Sequence, residues 1–311
     1  MSHMSAIRFT TKLKSALGIS LLLACLTVMG GSFRTDTAHQ TGTVAATQSL
    51  PGVVALALDA ASSPVVFSHA IVARDALGFP VGVRRSGKHV QDKFQNLEYD
   101  EVDELDASGR PISMTQIDGS GHLRVAVRLD ESPRPATRIA RDPALGIAQR
   151  GAISAGLTVA GTAQVDADGA TDGWTVRWSR TQNGIDVRGD ETRVQVRPDG
   201  HIQSLARVEH ELASEPTQRI KADRAKEIVA RQSDSWFAAT GSGYTIEKMD
   251  VQWVGPNGAF DATKPIDPQP VYRLAWVANV KPSGDASKYL WMVTLYVDAG
   301  DGSILGGDFV E

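Results

Sequence analysis

The sequence predicts an α+β fold, in which helices pack on antiparallel β-sheets. Short alternating runs end in Asp-Gly pairs, which close β-hairpins because glycine adopts positive φ without a Cβ clash. Apolar residues recur at helical spacing within 142–153 and 221–232, ahead of two such groups of strands. We therefore expect two similar modules, at 142–215 and 218–311, after a β-rich N-terminal part.

Composition excludes one class of partner. The chain has 311 residues and a formal net charge of −4, from 32 basic and 36 acidic side chains. Hydrophobic residues make up 42% and charged residues 22%, which is ordinary for a globular protein. No stripe of lysine and arginine with interleaved aromatic residues occurs, so a nucleic-acid partner is not expected.

The N-terminus has the pattern of a secretory signal peptide. Basic residues at 8, 12 and 14 precede the apolar run Ala16–Met29, and small residues follow at 30–32. The run is shorter than the roughly 20 residues that span a bilayer. We predict a signal peptide at 1–32 and a flexible tether at 33–63. The mature protein is then periplasmic, cell-surface or secreted, and touches a membrane only through the signal segment or a lipid anchor.

Cys25, the only cysteine, leaves two alternatives open. The tetrapeptide Leu22-Leu23-Ala24-Cys25 resembles a bacterial lipobox, in which the thiol is acylated, so Cys25 is a lipidation candidate. Ordinary cleavage near residues 30–32 fits the length of the apolar run. In that case the mature chain has no cysteine, which excludes intrachain disulfides and thiol catalysis.

The segment before the two modules is predicted to be a β-meander over 64–135. Three alternating runs between Tyr99 and Leu129 are separated by turns rich in glycine and aspartate. Prolines at 133, 135 and 143 mark its boundary with the first module.

Both modules contain a pair of aromatic residues separated by three others. The pairs are Trp174 with Trp178, and Tyr272 with Trp276. Because strand side chains alternate, each pair shares one face of its sheet. We predict that Trp178 and Trp276 are equivalent core residues beneath the helix of their module. The alternative is that they are exposed and bind a partner.

Matching turns support an internal duplication. Asp199-Gly200 and Asp301-Gly302 each precede the last strand of their module. The same order of helix, aromatic pair and Asp-Gly turn in both segments favours tandem copies over two unrelated hairpins.

The residues between Asn183 and Ser204 also resemble a known family. Asn183-Gly184-Ile185-x-Val187-x-Gly189, followed by Asp199-Gly200-x-Ile202-x-Ser204, resembles the fungalysin–thermolysin propeptide domain. The segment Leu290–Leu305 is similar to a PepSY domain. The likeness covers 142–311, and departs from the family at Asp186, where proline is usual.

The resemblance implies a cystatin-like helix on an antiparallel sheet, without an active site or cofactor. Such domains bind a protein, often a secreted protease, which they inhibit, chaperone or dock. The resemblance therefore implies a tandem PepSY-like or propeptide-like protein of the cell envelope that lacks a peptidase domain.

Motifs for catalysis and metal binding are incomplete. His210-Glu211 begins a zincin-like motif, but serine stands at 214 where the second histidine is needed. Asp166, Asp168 and Asp172 place three carboxylates in one short segment, as calcium loops do, but without the glycine and glutamate positions of an EF-hand. An ordinary hairpin turn is the alternative to an adventitious calcium site.

We interpret the chain as an exported, non-catalytic binding protein with a protein partner, and assign no catalytic residue. Two alternatives from other classes remain. One is a secreted hydrolase with a site of dispersed carboxylates and histidines, and the other is a structural envelope protein.

Overall fold

The computed structural model describes residues 64–92, 97–130, 137–169, 172–214, 218–237, 241–260, 267 and 269–310. All of them belong to one compact unit, Thr47–Glu311. The predicted signal peptide, the tether and Cys25 lie outside the described residues. Among the helices of the described ranges, none has the length and apolar character needed to cross a bilayer.

Each of the three α-helices in the described part is followed by four strands. The first copy consists of α1 (Pro64–Ala76), β1 (Arg84–Asp92), β2 (Leu97–Leu105), β3 (Pro111–Asp118) and β4 (Leu123–Arg128). The second consists of α2 (Arg141–Ser154), β5 (Gln164–Ala167), β6 (Trp174–Gln182), β7 (Ile185–Val196) and β8 (Ile202–Val208). The third consists of α3 (Ala222–Phe237), β9 (Tyr244–Val254), β10 (Arg273–Pro282), a 3-10 helix (Gly284–Lys288), β11 (Met292–Asp298) and β12 (Ile304–Val310).

The predicted α+β fold, with helices packed on separate antiparallel sheets, is wrong. Strands dominate the structure, and the twelve described strands form one mixed sheet with the path β1-β2-β3-β4-β8-β7-β9-β10-β11-β12, extended from β7 by β6 and β5. Two contacts between copies create it. β4 pairs with β8, and β7 pairs in parallel with β9 through Val187 and Trp253. Pairing across the copies satisfies backbone groups that separate sheets would leave open at their edges.

The first copy repeats the pattern that the sequence predicts only for the second and third. The turn before the last strand of each copy contains a glycine with positive φ: Gly121 (+83°), Gly200 (+88°) and Gly302 (+79°). A Cβ built on each of these glycines would meet a residue of the helix of the same copy: His69, Ile147 and Ile228. The predicted β-meander is therefore part of a further helix-and-four-strand copy that begins with α1.

The largest core cluster lies on one face of strands β2 to β8. Ala70 of α1 and Ala148 of α2 are buried there with strand residues such as Val176. Small residues allow close approach, because a Cβ on Gly151 would lie 2.2 Å from the Ile202 Cδ1 atom. Since side chains alternate along strands, the residues between these core positions face the other side of the sheet.

The predicted equivalence of Trp178 and Trp276 is wrong. The second and third copies align with an offset from the predicted match, so that Trp276 corresponds to Trp174. Trp174 and Trp276 occupy matching places. The Nε1 atom of each donates a hydrogen bond of 2.9 Å to a carbonyl just before the helix, Ile139 O and Ile220 O respectively. Trp178 is 4% exposed and lies in the core cluster, whereas Trp276 is half-buried.

A buried ion cluster occupies part of the first copy's core. The Glu104 Oε1 atom accepts hydrogen bonds from Arg74 Nη1 at 2.5 Å and from Arg85 Nε at 2.7 Å, and all three residues are buried. Strand pairing aligns Glu104 with Trp178 of the second copy and Val280 of the third. The first copy therefore holds a carboxylate where the other two hold apolar side chains.

Candidate binding surface

The face of the first eight strands opposite the core is continuous, and we call it the open face. Cross-strand pairing produces two neighbouring rows that run from β5 to β1. The first row is Asp166, Thr175, Gln195, Ser204, Val127, Met114, Asp103 and Ser86. The second is Gln164, Arg177, Arg193, Ala206, Val125, Gln116, Glu101 and Lys88. The two rows lie on the same face because they are two residues apart on each strand.

Four apolar side chains occupy the centre of the open face. Met114, Val125, Val127 and Ala206 lie on the neighbouring strands β3, β4 and β8, and we call them the central strip. All four are half-buried, and none belongs to a hydrophobic core cluster of the described residues. The fold of the chain therefore does not use this strip as core.

Ion pairs flank the central strip on both sides. Two pairs lie on the side of β6 and β7: Arg177 with Asp166, and Arg193 with Glu191. On the side of β1 and β2, the Lys88 Nζ atom is 2.6 Å from Glu101 Oε1. An apolar centre with a polar rim is the usual arrangement of a protein interface.

Arg124 carries a charge on the open face that no carboxylate pairs with in the described part of the chain. Its guanidinium lies over the Tyr99 ring, 5.0 Å from the centroid. The Nη1 atom is buried and has no hydrogen-bond partner. Burial lowers the pKa of the Arg124 guanidinium. Arg124 is therefore a desolvated cation without an ion-pair partner among the described residues, and burial outweighs its attraction to Asp118 and Asp92.

Asp103 is the corresponding acidic residue. It lies in the first row beside Ser86 and Met114, and no ion pair within the described ranges involves it. Burial, and then repulsion from Glu101, raises the pKa of Asp103 to about 6, although Lys88 acts in the opposite direction. Asp103 is therefore a half-buried carboxylate beside a second carboxylate.

We expect Asp103 to titrate near pH 6 and to favour the folded state as the pH falls. A folded pKa of about 6, above the ordinary 3.8, means that the folded protein binds this proton more tightly. The resulting stabilisation is fully present below the unfolded pKa and is lost as the pH rises through about 6. Carboxyl ¹³C NMR measures the titration. Glu101→Gln should lower the midpoint, and a wild-type midpoint near the ordinary value would contradict the burial of Asp103.

A second polar cluster lies where the second and third copies meet. The side chain of Asp190 is fully buried and accepts hydrogen bonds from Arg180 Nη1 at 2.9 Å and His210 Nδ1 at 2.5 Å. The His210 ring stacks on Tyr272, with centroids 4.4 Å apart. The backbone N–H of Tyr272 donates to Glu211 O at 2.7 Å. These contacts hold the segment after β8 against the start of β10.

Exposed aromatic residues mark a further surface on the third copy. The connection between β10 and β11 is longer than the equivalent connections between β2 and β3 and between β6 and β7. It carries Tyr289 and Trp291, which are 78% and 61% exposed. Loops that one copy has in addition to its neighbours often contribute to binding in repeat proteins. Tyr289 and Trp291 form this aromatic surface, which is the second candidate surface for a partner.

The residues behind the family resemblance lie in turns and bulges rather than in the central strip. Asn183 and Gly184 close the β6–β7 hairpin with φ of 54° and 75°. A Cβ on Gly189 would lie 3.8 Å from Tyr272 Oη, in the joint between copies. The carboxylates of Asp199 and Asp301 accept hydrogen bonds within the turns that contain Gly200 and Gly302.

The three aspartates of the calcium alternative do not form one site. Asp166 pairs with Arg177, and Asp168 accepts a hydrogen bond of 3.3 Å from Gln195 Nε2. Asp172 has a positive φ of 58°. Across the described ranges, no three His, Cys, Asp or Glu side chains are grouped so that they could hold a metal ion.

Sequence reasoning missed the central strip, Arg124 and Asp103. In the sequence of β2, acidic residues alternate with apolar ones, which predicts only a solvated strand face, because one strand does not reveal its neighbours. The apolar residues of the strip come from three strands, and only the observed register of those strands brings them together.

Comparisons with known proteins provide no family. No family model and no curated protein matches the chain. A search of solved structures finds similarity to the Bacillus megaterium YpeB C-terminal domain, with 11% sequence identity and a TM-score of 0.43. The match covers 81% of this chain and 99% of that domain. At this identity and TM-score the likeness carries no argument about function, and the PepSY-like and propeptide-like assignment stays a prediction from the sequence.

Proposed function

We propose that this chain is an exported, non-catalytic protein that binds a protein partner on its open face. The observation that carries the proposal is the central strip. Met114, Val125, Val127 and Ala206 are apolar, lie together on three strands and belong to no core cluster of the described residues. Covering such a strip removes apolar surface from water, which favours association.

The form of the open face supports a protein as the partner. The face extends across eight paired strands, and charged side chains flank the strip on both sides. A broad surface with an apolar centre and a charged rim suits another protein surface, whereas small ligands are usually enclosed in concave sites. Export rests on the predicted signal peptide. A secreted protease as the partner class rests on the family resemblance.

The rival hydrolase would draw on Asp190 and His210, which lie within hydrogen-bond distance of each other. Asp190 also accepts a hydrogen bond from Arg180, and the His210 ring also stacks on Tyr272. Both side chains are therefore part of the contact between the second and third copies. These contacts favour a structural role for the pair. We therefore assign the function to the open face.

Photocrosslinking in the native envelope tests the proposal. A photoreactive amino acid at Ala206, within the strip, should capture one defined protein, and the purified protein should bind the wild-type chain again in vitro. The matched control is the same amino acid at Ile153, which is 56% exposed on α2, away from the strip. Equal capture from both positions, or capture from the aromatic surface at Trp291 alone, would place binding elsewhere.

A further inference from the structure

We propose that the partner presents a carboxylate to Arg124 and a cationic side chain to Asp103, from one extended segment. This inference rests on the proposed binding function and adds the chemistry of the partner. It follows from two charged side chains on the open face, Arg124 and Asp103, that form no ion pair within the described part of the chain.

Arg124 differs from the other arginines beside the strip. Arg177 and Arg193 each pair with a carboxylate, whereas Arg124 forms no ion pair among the described residues and its guanidinium lies over the Tyr99 ring. A buried donor without a partner costs free energy, which a new acceptor recovers. Guanidinium groups form strong charge-assisted hydrogen bonds with carboxylates, so an acidic side chain is the complementary group.

The group that complements the Asp103 carboxylate is a cation. Its neighbour Glu101 is already occupied, since it pairs with Lys88 at 2.6 Å and accepts a hydrogen bond of 3.0 Å from Gln116 Nε2. A cation from the partner would satisfy the Asp103 carboxylate and reduce its repulsion with Glu101. Lys88 and Glu101 are the charged groups that act on Asp103, and Ser86 and Met114 flank it on the neighbouring strands.

The two positions fit one extended segment. Arg124 lies over Tyr99, which is four residues from Asp103 on β2. Four residues of a strand cover about 13 Å. A partner strand that runs along β2 would therefore place an acidic and a basic side chain four residues apart, next to the central strip.

Short peptides of defined charge test the inference by ¹⁵N NMR titration of the full mature chain. The probes are acetyl-Glu-Thr-Val-Thr-Lys-amide and its two relatives with glutamate or lysine at both ends. The wild-type protein should prefer the mixed peptide by about two- to fivefold, which is the range for exposed ion pairs. Saturable shifts should centre on the amides of Tyr99, Asp103 and Arg124.

Charge reversal should switch the preference. Arg124→Asp should favour the peptide with two lysines, and Asp103→Arg the peptide with two glutamates. Arg150→Asp, at an exposed position of α2 away from the open face, is the control for a general charge effect and should leave the preference for the mixed peptide unchanged. If a charge reversal prevents folding, the neutral variants Arg124→Gln and Asp103→Asn replace it. Each of them should abolish the preference for the mixed peptide.

Three outcomes would overturn the inference: no preference in the wild type, no switch in the reversed variants, or the same switch with Arg150→Asp. If any of them occurs while Ala206 still captures its partner, the charge assignment is wrong and the binding function stands. If the peptides show no preference and the Ala206 crosslink is also absent, both are wrong.

Discussion

Glu104→Ala should lower the free energy of unfolding by about 3–5 kcal/mol, because it leaves buried positive charge uncompensated. The Glu104 carboxylate holds Arg74 and Arg85, and its Oε2 atom accepts a hydrogen bond of 3.0 Å from the Gly82 backbone N–H. Both arginines are only 7% exposed. Asp75 still pairs with Arg74 in the variant, but its side chain is 58% exposed and its contribution is screened by water. Chemical denaturation followed by circular dichroism measures the change.

Two further variants separate the ion cluster from general effects on β2. Glu98→Ala removes an exposed carboxylate from the same strand and should change stability by less than about 1 kcal/mol. The triple variant Arg74→Ser, Arg85→Ile and Glu104→Val introduces the residues of the third copy that align with them, Ser233, Ile246 and Val280. It should recover most of the loss, since apolar side chains often replace a buried ion pair without cost. A loss in Glu104→Ala no larger than in Glu98→Ala would contradict the burial of the cluster.

Trp178→Ala should also lower the free energy of unfolding by about 3–5 kcal/mol, the usual cost of removing a large buried aromatic side chain. Trp178 is 4% exposed and lies in the core cluster that combines α1, α2 and strands β2 to β8. Its loss would leave a cavity that the neighbouring strands fill only in part. Thermal unfolding of the purified variant gives the change.

Trp291→Ala provides the matched control, because Trp291 is 61% exposed on the β10–β11 connection. A surface substitution of this kind should change stability by no more than about 0.5 kcal/mol. If Trp178→Ala unfolded no more easily than Trp291→Ala, the placement of Trp178 in the core would be wrong.

Local chemistry made several turns predictable from the sequence. Asn183-Gly184 closes a two-residue hairpin with positive φ at both positions, as Asn-Gly does in type I′ turns. Gly200 and Gly302 take positive φ in the turns predicted from their Asp-Gly pairs. These features depend on residues that are adjacent in the chain, so a single sequence contains the required information.

Pairing between distant strands could not be read in the same way. β4 and β8 pair across the boundary that prolines 133, 135 and 143 mark, and a single bridge joins β7 to β9. The helix α1 was missed because its sequence, PVVFSHAIVARDA, contains β-branched residues that are typical of strands. The offset of the repeat was missed because Trp174 and Trp178 are both plausible matches for Trp276. Only the hydrogen bonds to Ile139 and Ile220 decide between them.

The binding surface illustrates the same limit. Val125 and Ala206 are far apart in the sequence, and each lies in an ordinary alternating strand. They become neighbours only because β4 pairs with β8. The unpaired states of Arg124 and Asp103 likewise depend on which side chains surround them in the folded sheet.

The most direct test of the open face as a binding surface is the affinity of the purified crosslinked partner for Val125→Asp. The new carboxylate would face water in the free protein and would be buried without a partner in the complex, which costs free energy. We predict at least about tenfold weaker binding, equivalent to about 1.4 kcal/mol, with the melting temperature unchanged. Trp291→Ser should bind as the wild type does. Full affinity of Val125→Asp together with weakened binding of Trp291→Ser would contradict the account and move the interface to the aromatic surface.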